Sequence, residues 1–138
     1  MTKDSEYHIT LPGDPRSKKN SSRIVKAGNR SMLIPSKPYK EYETACGVPL
    51  SVFLLHNADR EWPITEPVEV TCTYYMATKR RVDLTNLLEA TDDVLQKYGI
   101  LADDDSDVIV SHDGSRVIKG VGKQNARAEI TIRRISNV

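Results

Sequence analysis

The clearest hydrophobic pattern in the chain is a helical stripe between residues 84 and 98. Mostly apolar side chains recur there three and four positions apart, which places them on one face of an amphipathic helix. The stripe consists of Leu84, Leu87, Leu88, Thr91, Val94, Leu95 and Tyr98. Gly99 follows, and glycine readily adopts the left-handed conformation that ends many helices. The pattern therefore predicts a helix that ends at this glycine.

Alternation of polar and apolar residues predicts strands elsewhere. In residues 68–77, Val70, Cys72, Tyr74 and Met76 alternate with more polar side chains, so one face of this strand should be buried. Shorter runs predict strands at 7–11, 23–27, 31–34, 108–110, 115–119 and 126–135. The residues at 28–30, Gly-Asn-Arg, suit the positive φ angles of a tight turn and predict a hairpin between two of these runs.

A second helix is predicted to begin near residue 38, with Ser36 as its N-cap. Gly47 and Pro49 interrupt its apolar pattern, so we expect a kink or two helical pieces. The order of elements predicts an α+β fold, with two main helices packed on a mixed or mainly antiparallel sheet. A chain of 138 residues suits a single domain, residues 1–138.

The formal net charge of +1 hides an uneven distribution of charge. Residues 1–40 hold nine basic and three acidic residues, whereas residues 83–107 hold eight acidic residues and one basic residue. This separation is what a polyanion-binding surface beside a metal-requiring acidic centre would produce, although charges on a solvated surface give the same totals. Cys46 and Cys72 are too few and too isolated for a disulfide framework or a zinc site.

The candidate chemistry lies at both ends of the 84–98 helix. Three cations, Lys79, Arg80 and Arg81, stand just before Asp83, and an acidic run at 103–107 follows the helix. A helix of this length rises about 22 Å, so the two ends share a site only if the chain doubles back. The plainer interpretations are a helix N-cap at Asp83, a solvated acidic turn and a solvated basic loop.

The helical period also decides which polar side chains face each other. At about 100° per residue, Asp83 and Asn86 lie on one flank of the stripe and can face a shared site. Thr85, Glu89 and Asp92 are predicted to point nearly opposite the core. Of the three histidines, only His112, beside Asp113, is a candidate general base.

These motifs resemble those of the RusA family of Holliday-junction resolvases, which are common in phages and prophages. The resemblance rests on Arg-Arg-Val-Asp-Leu-Thr-Asn-Leu-Leu at 80–88, on Gly99 and on the Asp-Asp pair that follows. Residues 9–12, Pro15, 17–20 and 36–42 fit the same family, so the resemblance covers most of the chain. It implies a homodimeric endonuclease that uses Mg²⁺, with Mn²⁺ as the alternative ion, and that nicks four-way DNA junctions symmetrically in recombination and repair.

The resemblance also implies roles for individual residues. Asp83 and Asp104 would be catalytic metal ligands, with Asp103 as a neighbouring acid and Asn86 positioning a ligand. This chain has Thr85 where the best-known pattern has a second aspartate, and Glu89 where it has a lysine. Glu89 is therefore a candidate for the carboxylate that Thr85 lacks. The candidate DNA contacts are Arg16, Lys18, Lys19, Arg23, Lys79, Arg80 and Arg81.

The departures at Thr85 and Glu89 leave three functions open. The first is a dimeric junction resolvase, and the second is a metal-dependent nuclease on other branched or duplex DNA. The third is a DNA-binding homologue whose catalytic centre has decayed. No apolar run approaches membrane-spanning length and no signal peptide opens the chain, so we expect a cytoplasmic protein in a bacterial cell, with no membrane partner and no organic cofactor.

Overall fold

The computed structural model describes residues 6–18, 22–27, 30–35 and 37–135, with 22–27 and 30–35 described as backbone strands. Seven strands are present in these ranges: β1 (Glu6–Pro12), β2 (Ser22–Ala27), β3 (Arg30–Pro35), β4 (Val68–Tyr75), β5 (Ile109–Ser111), β6 (Arg116–Ile118) and β7 (Arg127–Arg134). The two α-helices are α1 (Lys37–His56) and α2 (Leu84–Lys97), and a short 3₁₀ helix covers Lys123–Asn125.

The main sheet has five strands and is mixed. Its order is β1-β7-β4-β5, and β6 pairs with the second half of β4, beyond β5. β7 runs antiparallel to both β1 and β4, whereas β5 and β6 run parallel to β4. Two helices with a mixed sheet confirm the α+β prediction. β2 and β3 form a separate antiparallel pair, as predicted, while their turn at 28–29 and the Ser36 cap lie outside the described residues.

The core lies on one face of the sheet, to which the apolar residues of the alternating pattern point. Val70, Cys72 and Tyr74 of β4 are buried, and so are Ile130 and Ile132 of the neighbouring β7. The apolar stripe of α2 joins the same cluster through Leu87, Val94 and Leu95. Each such side chain contributes roughly 1.5–3 kcal/mol when it is fully buried, so α2 is anchored by packing on its apolar face.

α1 runs as one helix through Gly47 and Pro49, so the prediction of two helical pieces is wrong. Pro49 has no N–H to donate to the carbonyl of Ala45, a cost that would favour a break. Cys46 and Leu50, on either side of this point, are both buried in the core. Tertiary packing therefore holds the helix together across the proline, and the exposure of Ala45 leaves its carbonyl near solvent.

The end of α2 turns the chain back toward the helix. Gly99 has a φ of 81°, and its N–H bonds the carbonyl of Gln96 at 3.2 Å. The N–H of Ile100 bonds the carbonyl of Leu95 at 2.9 Å, which completes the two-bond cap typical of a glycine-terminated helix. The predicted helix end is confirmed, and the acidic segment starts within reach of α2. Within the described ranges, neither helix combines the length and apolarity needed to cross a bilayer.

Candidate active site

One face of α2 forms a cavity with the segment that follows the helix. The helix contributes Thr85, Leu88, Glu89 and Asp92, which recur three and four positions apart and so share a face. Asp104 and His112 close the cavity, whose volume is about 270 Å³. The chain thus doubles back far enough to place Asp104 opposite the middle of α2.

Asp92 is buried, with only 8% of its surface exposed. The prediction that it points away from the core is therefore wrong. The helical period correctly placed Asp92 on the same face of α2 as Thr85 and Glu89. At the Asp92 end of this face, however, His112 covers the helix. His112 Nε2 lies 2.8 Å from Asp92 Oδ2, and His112 Nδ1 lies 2.7 Å from the carbonyl oxygen of Val70.

The hydrogen bonds of His112 fix where its protons are. A carbonyl oxygen only accepts, so Nδ1 carries the hydrogen that bonds Val70. A second proton must then lie between Nε2 and the Asp92 carboxylate. The bond to Asp92 raises the pKa of His112, and burial raises the pKa of Asp92. His112 therefore bridges Asp92 and the backbone of Val70, and its hydrogen bond is with Asp92 rather than with its sequence neighbour Asp113.

The second carboxylate oxygen of Asp92 has no such partner. Oδ1 is buried and makes no hydrogen bond within the described part of the chain. Buried polar atoms without a hydrogen-bond partner are rare in native proteins, because burial removes their hydrogen bonds to water and nothing replaces them. Asp92 thus both lines this cavity and carries a buried carboxylate oxygen that is unsatisfied among the described residues.

The acidic segment is partly organised by its own carboxylates. The backbone N–H of Asp104 donates to Asp103 Oδ1 at 2.7 Å, and that of Asp107 donates to Asp105 Oδ1 at 3.0 Å. Asp103 thus supports the turn, while Asp104 lines the cavity. Partial desolvation, and then the contact with Asp103, raise the pKa of the Asp104 carboxyl, which is otherwise exposed.

Asp83 occupies the N-cap position of α2, but its side chain makes no capping hydrogen bond. Its Oδ2 instead accepts a hydrogen bond from Asn86 Nδ2 at 3.1 Å, which confirms that these two side chains face each other. Asp83 is exposed and is not among the residues that line the cavity of Thr85 and Asp104.

A small basic pocket of about 120 Å³ lies on the other flank of α2. Its lining residues are Pro15, Arg16, Ser17, Arg80, Arg81, Val82 and Leu87. Arg80 Nη2 donates to the carbonyl of Pro15 at 3.1 Å and lies 3.6 Å from Asp14 Oδ2. Arg80 Nη1 is buried and has no hydrogen-bond partner among the described residues.

Asp14, which sequence reasoning missed, organises this pocket. Its Oδ1 accepts a hydrogen bond from the N–H of Ala77 at 2.9 Å, and its Oδ2 lies 3.7 Å from Arg16 Nη2. The loop that carries Asp14 is thereby tied to the end of β4 and to Arg80. Ala77 and Arg80 lie more than sixty positions away in sequence, so no local pattern could reveal the contact.

The other predicted DNA contacts fall in different environments. Lys18 Nζ lies 3.2 Å from Asp93 Oδ2 and 5.9 Å from the centroid of the Tyr39 ring. Lys79 and Arg81 are exposed, and the side chain of Lys79 passes close to Gly120. Lys19 lies outside the described residues. Arg23 lies on β2, where only the backbone is described.

The donors around the cavity suit a hard divalent cation in chemical type. In the described ranges, no three acidic, histidine or cysteine side chains meet closely enough to form a complete metal site. The cavity nevertheless offers carboxylates and a hydroxyl, the oxygen ligands that Mg²⁺ prefers, and Asp92 supplies an orphaned buried oxygen.

Comparison with known proteins identifies the family. The family model described as Endodeoxyribonuclease RusA matches residues 12–133. Crossover junction endodeoxyribonuclease RusA from Shigella sonnei (strain Ss046) is 28% identical over 131 residues, which cover 95% of this chain and 97% of the relative. The matched residues include the basic pocket, α2 and the acidic cavity. Since the family model spans most of the sequence, this chain belongs to the RusA family of endodeoxyribonucleases.

Proposed function

We propose that this protein resolves four-way DNA junctions by paired, symmetric nicks that depend on a divalent metal ion. The proposal builds on membership of the RusA family and on the name of the Shigella relative, a crossover junction endodeoxyribonuclease. The observation that carries it is the pair of sites flanking α2. Leu87 lines the basic pocket and the adjacent Leu88 lines the acidic cavity, so a phosphate site and a cation site lie on neighbouring faces of one helix.

The basic pocket is suited to a DNA phosphate. Arg80 Nη1 has no acceptor in the part of the chain that the structure describes, and a phosphate oxygen would supply one in the charge-assisted geometry that guanidinium groups favour. Arg16 and Arg81 add positive charge to the same pocket. Lys18, Lys19, Arg23 and Lys79 extend the proposed contact along the DNA backbone. Such contacts position the duplex without reading its sequence.

The proposed catalytic ligands are Asp83 and Asp104, with Glu89 supplying a carboxylate near Thr85. Asn86 holds Oδ2 of Asp83 at 3.1 Å and so orients that ligand, while Asp103 supports the backbone of Asp104. When bound, Mg²⁺, or Mn²⁺ in its place, supplies an activated water and offsets negative charge on the reacting phosphate. Arg80 and Arg81 would stabilise further charge on the same phosphate.

We also propose that the active form is a homodimer. A four-way junction presents two symmetry-related strands, and each chain carries one candidate active site. Paired nicks within one complex therefore need two chains related by a two-fold axis, which is the commonest symmetry of soluble oligomers. Sedimentation of the protein with and without junction DNA measures this directly.

The substrate is tested with end-labelled DNA of identical sequence, presented as a four-way junction and as a linear duplex. In Mg²⁺ the junction should be nicked at symmetric positions in two opposing strands, and the duplex should remain intact. Equal cleavage of both would identify a general nuclease, and junction binding without any cleavage would identify a decayed homologue. Either result would overturn the proposed function.

A further inference from the structure

We propose that Asp92, held in place by His112, is a cation ligand of this active site in addition to Asp83, Asp104 and Glu89. The proposal rests on the metal-dependent function proposed above. It adds a residue outside the resembled motif, at a position where the sequence pattern alone suggested a solvent-facing side chain.

The first support is the position of Asp92 relative to Thr85. The two residues are seven positions apart, close to two full turns, and therefore lie on the same face of α2. Both line the cavity that Asp104 closes from the opposite side. A carboxylate at position 92 can thus face the same cavity that a carboxylate at position 85 would face, from a point two turns further along α2.

The second support is the buried oxygen of Asp92. An acidic cluster on a surface is usually solvated, but Asp92 is only 8% exposed, and its Oδ1 has no hydrogen-bond partner within the described ranges. The hydrogen bond from His112 satisfies Oδ2 and does not reach Oδ1. A carboxylate oxygen that is removed from water without a partner is unfavourable, and a bound cation would offset that cost.

The third support is the way His112 fixes the carboxylate. Its Nδ1 is tied to the backbone of Val70 on β4 at 2.7 Å, and its Nε2 is tied to Asp92 at 2.8 Å. The ring therefore connects the sheet to Oδ2 of the carboxylate and fixes its orientation, while Oδ1 has no hydrogen-bond partner in the described part of the chain. Metal-binding carboxylates are commonly oriented by hydrogen bonds of this kind. His112 is accordingly a positioning residue.

The test measures binding of MnCl₂ to the protein without DNA, by the electron paramagnetic resonance signal of free Mn²⁺. Asp92→Asn should weaken Mn²⁺ binding about tenfold or more. Asp107→Asn is the matched control, because it removes one exposed acidic charge of the same region without touching the cavity. Its affinity should match that of wild type, and equal affinities for both variants would overturn the inference.

Two further variants separate ligand loss from misfolding. Thr85→Asp in the Asp92→Asn background places a carboxylate at an exposed position of the same cavity and should restore Mn²⁺ binding. His112→Ala should weaken binding, while His112→Gln, whose amide N–H can still reach Asp92, should recover part of it. Failure of both rescues in variants that keep the wild-type circular dichroism spectrum would contradict the proposed role.

Asp104→Asn separates this inference from the proposed function. If Asp104→Asn weakens Mn²⁺ binding and Asp92→Asn does not, Asp92 is not a ligand and the metal-dependent function stands. If wild type binds no Mn²⁺, or if neither variant changes the affinity, the proposed metal site fails as well.

Discussion

Arg80 and Asp92 each have a polar atom that is buried beside α2 and finds no partner among the described residues. A buried donor or acceptor that loses its partner costs about 1–3 kcal/mol, so two such atoms on neighbouring surfaces need an explanation. A phosphate oxygen at Arg80 and a cation at Asp92 would satisfy both. At the scale of single residues, Arg80 and Asp92 are therefore the positions at which the proposed substrate and metal ion would supply a missing partner.

Replacing Arg80 tests the phosphate pocket. Arg80→Ala should weaken binding to every DNA alike and reduce the slope of log affinity against log salt by about one. Arg80→Lys should recover the salt slope but only part of the affinity, because lysine lacks the planar fork of donors. Filter binding over a series of salt concentrations measures both quantities. Arg133→Ala is the control, since Arg133 is paired with Glu6 and Glu69; the pocket assignment fails if it behaves like Arg80→Ala.

Replacing Asp83 tests the first proposed ligand. Asp83→Asn should abolish junction cleavage and leave junction binding nearly unchanged, because it removes a proposed metal ligand and no proposed contact to phosphate. Asn86 can still bond the new side chain, so the start of α2 should be preserved. Gel-shift and cleavage assays on the same labelled junction measure the two effects. Cleavage at the wild-type rate would remove Asp83 from the metal site.

The sequence predicted the contact of Asp83 with Asn86 because three positions along a helix bring side chains together. It could not distinguish Asp92 from Asp93, because their environments depend on tertiary structure. Asp92 meets His112, twenty positions away, and Asp93 meets Lys18, seventy-five positions away. The helical period gives the direction in which each side chain points around the helix axis. It does not show which of these directions is covered by other parts of the chain.

At the scale of elements, α2 is fixed to the sheet by polar contacts as well as by packing. The hydroxyl of Tyr74, on β4, donates to the carbonyl of Leu87 at 3.1 Å and lies 2.7 Å from the hydroxyl oxygen of Thr91. Both contacts are buried, at the level of α2 where the basic pocket and the acidic cavity flank the helix. Tyr74 therefore helps to set the position of both sites relative to the sheet.

Tyr74→Phe should lower the free energy of unfolding by about 1 kcal/mol, the usual net value of a buried hydrogen bond. Urea denaturation measures this value. The ring still fills the core, so cleavage well below the melting temperature should persist. Tyr75→Phe is the control on the opposite face of the same strand and should change stability less. A large loss of cleavage without a loss of stability would show that Tyr74 acts in the reaction itself.

Elements with a strong local signal were predictable, and elements set by distant contacts were not. The stripe and Gly99 defined α2, and the alternation in 68–77 defined the buried face of β4. The continuity of α1 depends on Cys46 and Leu50 packing into the core, which outweighs the local effect of Pro49. β5 and β6 both pair with the same edge of β4. Strands of only three residues are too short for their pattern to indicate which strand they pair with.

At the scale of the whole molecule, α2 stands between a basic pocket and an acidic cavity. The basic pocket and the acidic cavity occupy its two flanks, which is the arrangement that the uneven charge along the chain suggested. Part of this charge is paired internally, as in Lys18 with Asp93 and Arg80 with Asp14. This arrangement supports the proposal that the protein binds a DNA phosphate beside a metal ion.

The proposed dimer predicts the order in which nicked and linear DNA products appear. On a supercoiled plasmid with an extruded cruciform, paired nicks within one complex should yield linear DNA with little nicked circle. Wild type mixed with excess Asp83→Asn should form mixed dimers and shift the product to nicked circle, because each complex then holds one active site. Agarose gel analysis over time follows both species. Linear product that forms only after nicked circle has accumulated would contradict action as a dimer.

The most direct test of the central claim compares junction cleavage by wild type and Asp104→Asn across a range of Mg²⁺ concentrations. Wild type should cleave in Mg²⁺ and stop when the ion is chelated. Asp104→Asn should bind the junction normally and fail to cleave at any Mg²⁺ concentration at which wild type is saturated. Cleavage by wild type in excess chelator, or wild-type cleavage by Asp104→Asn, would contradict the assignment of catalysis to the acidic cavity.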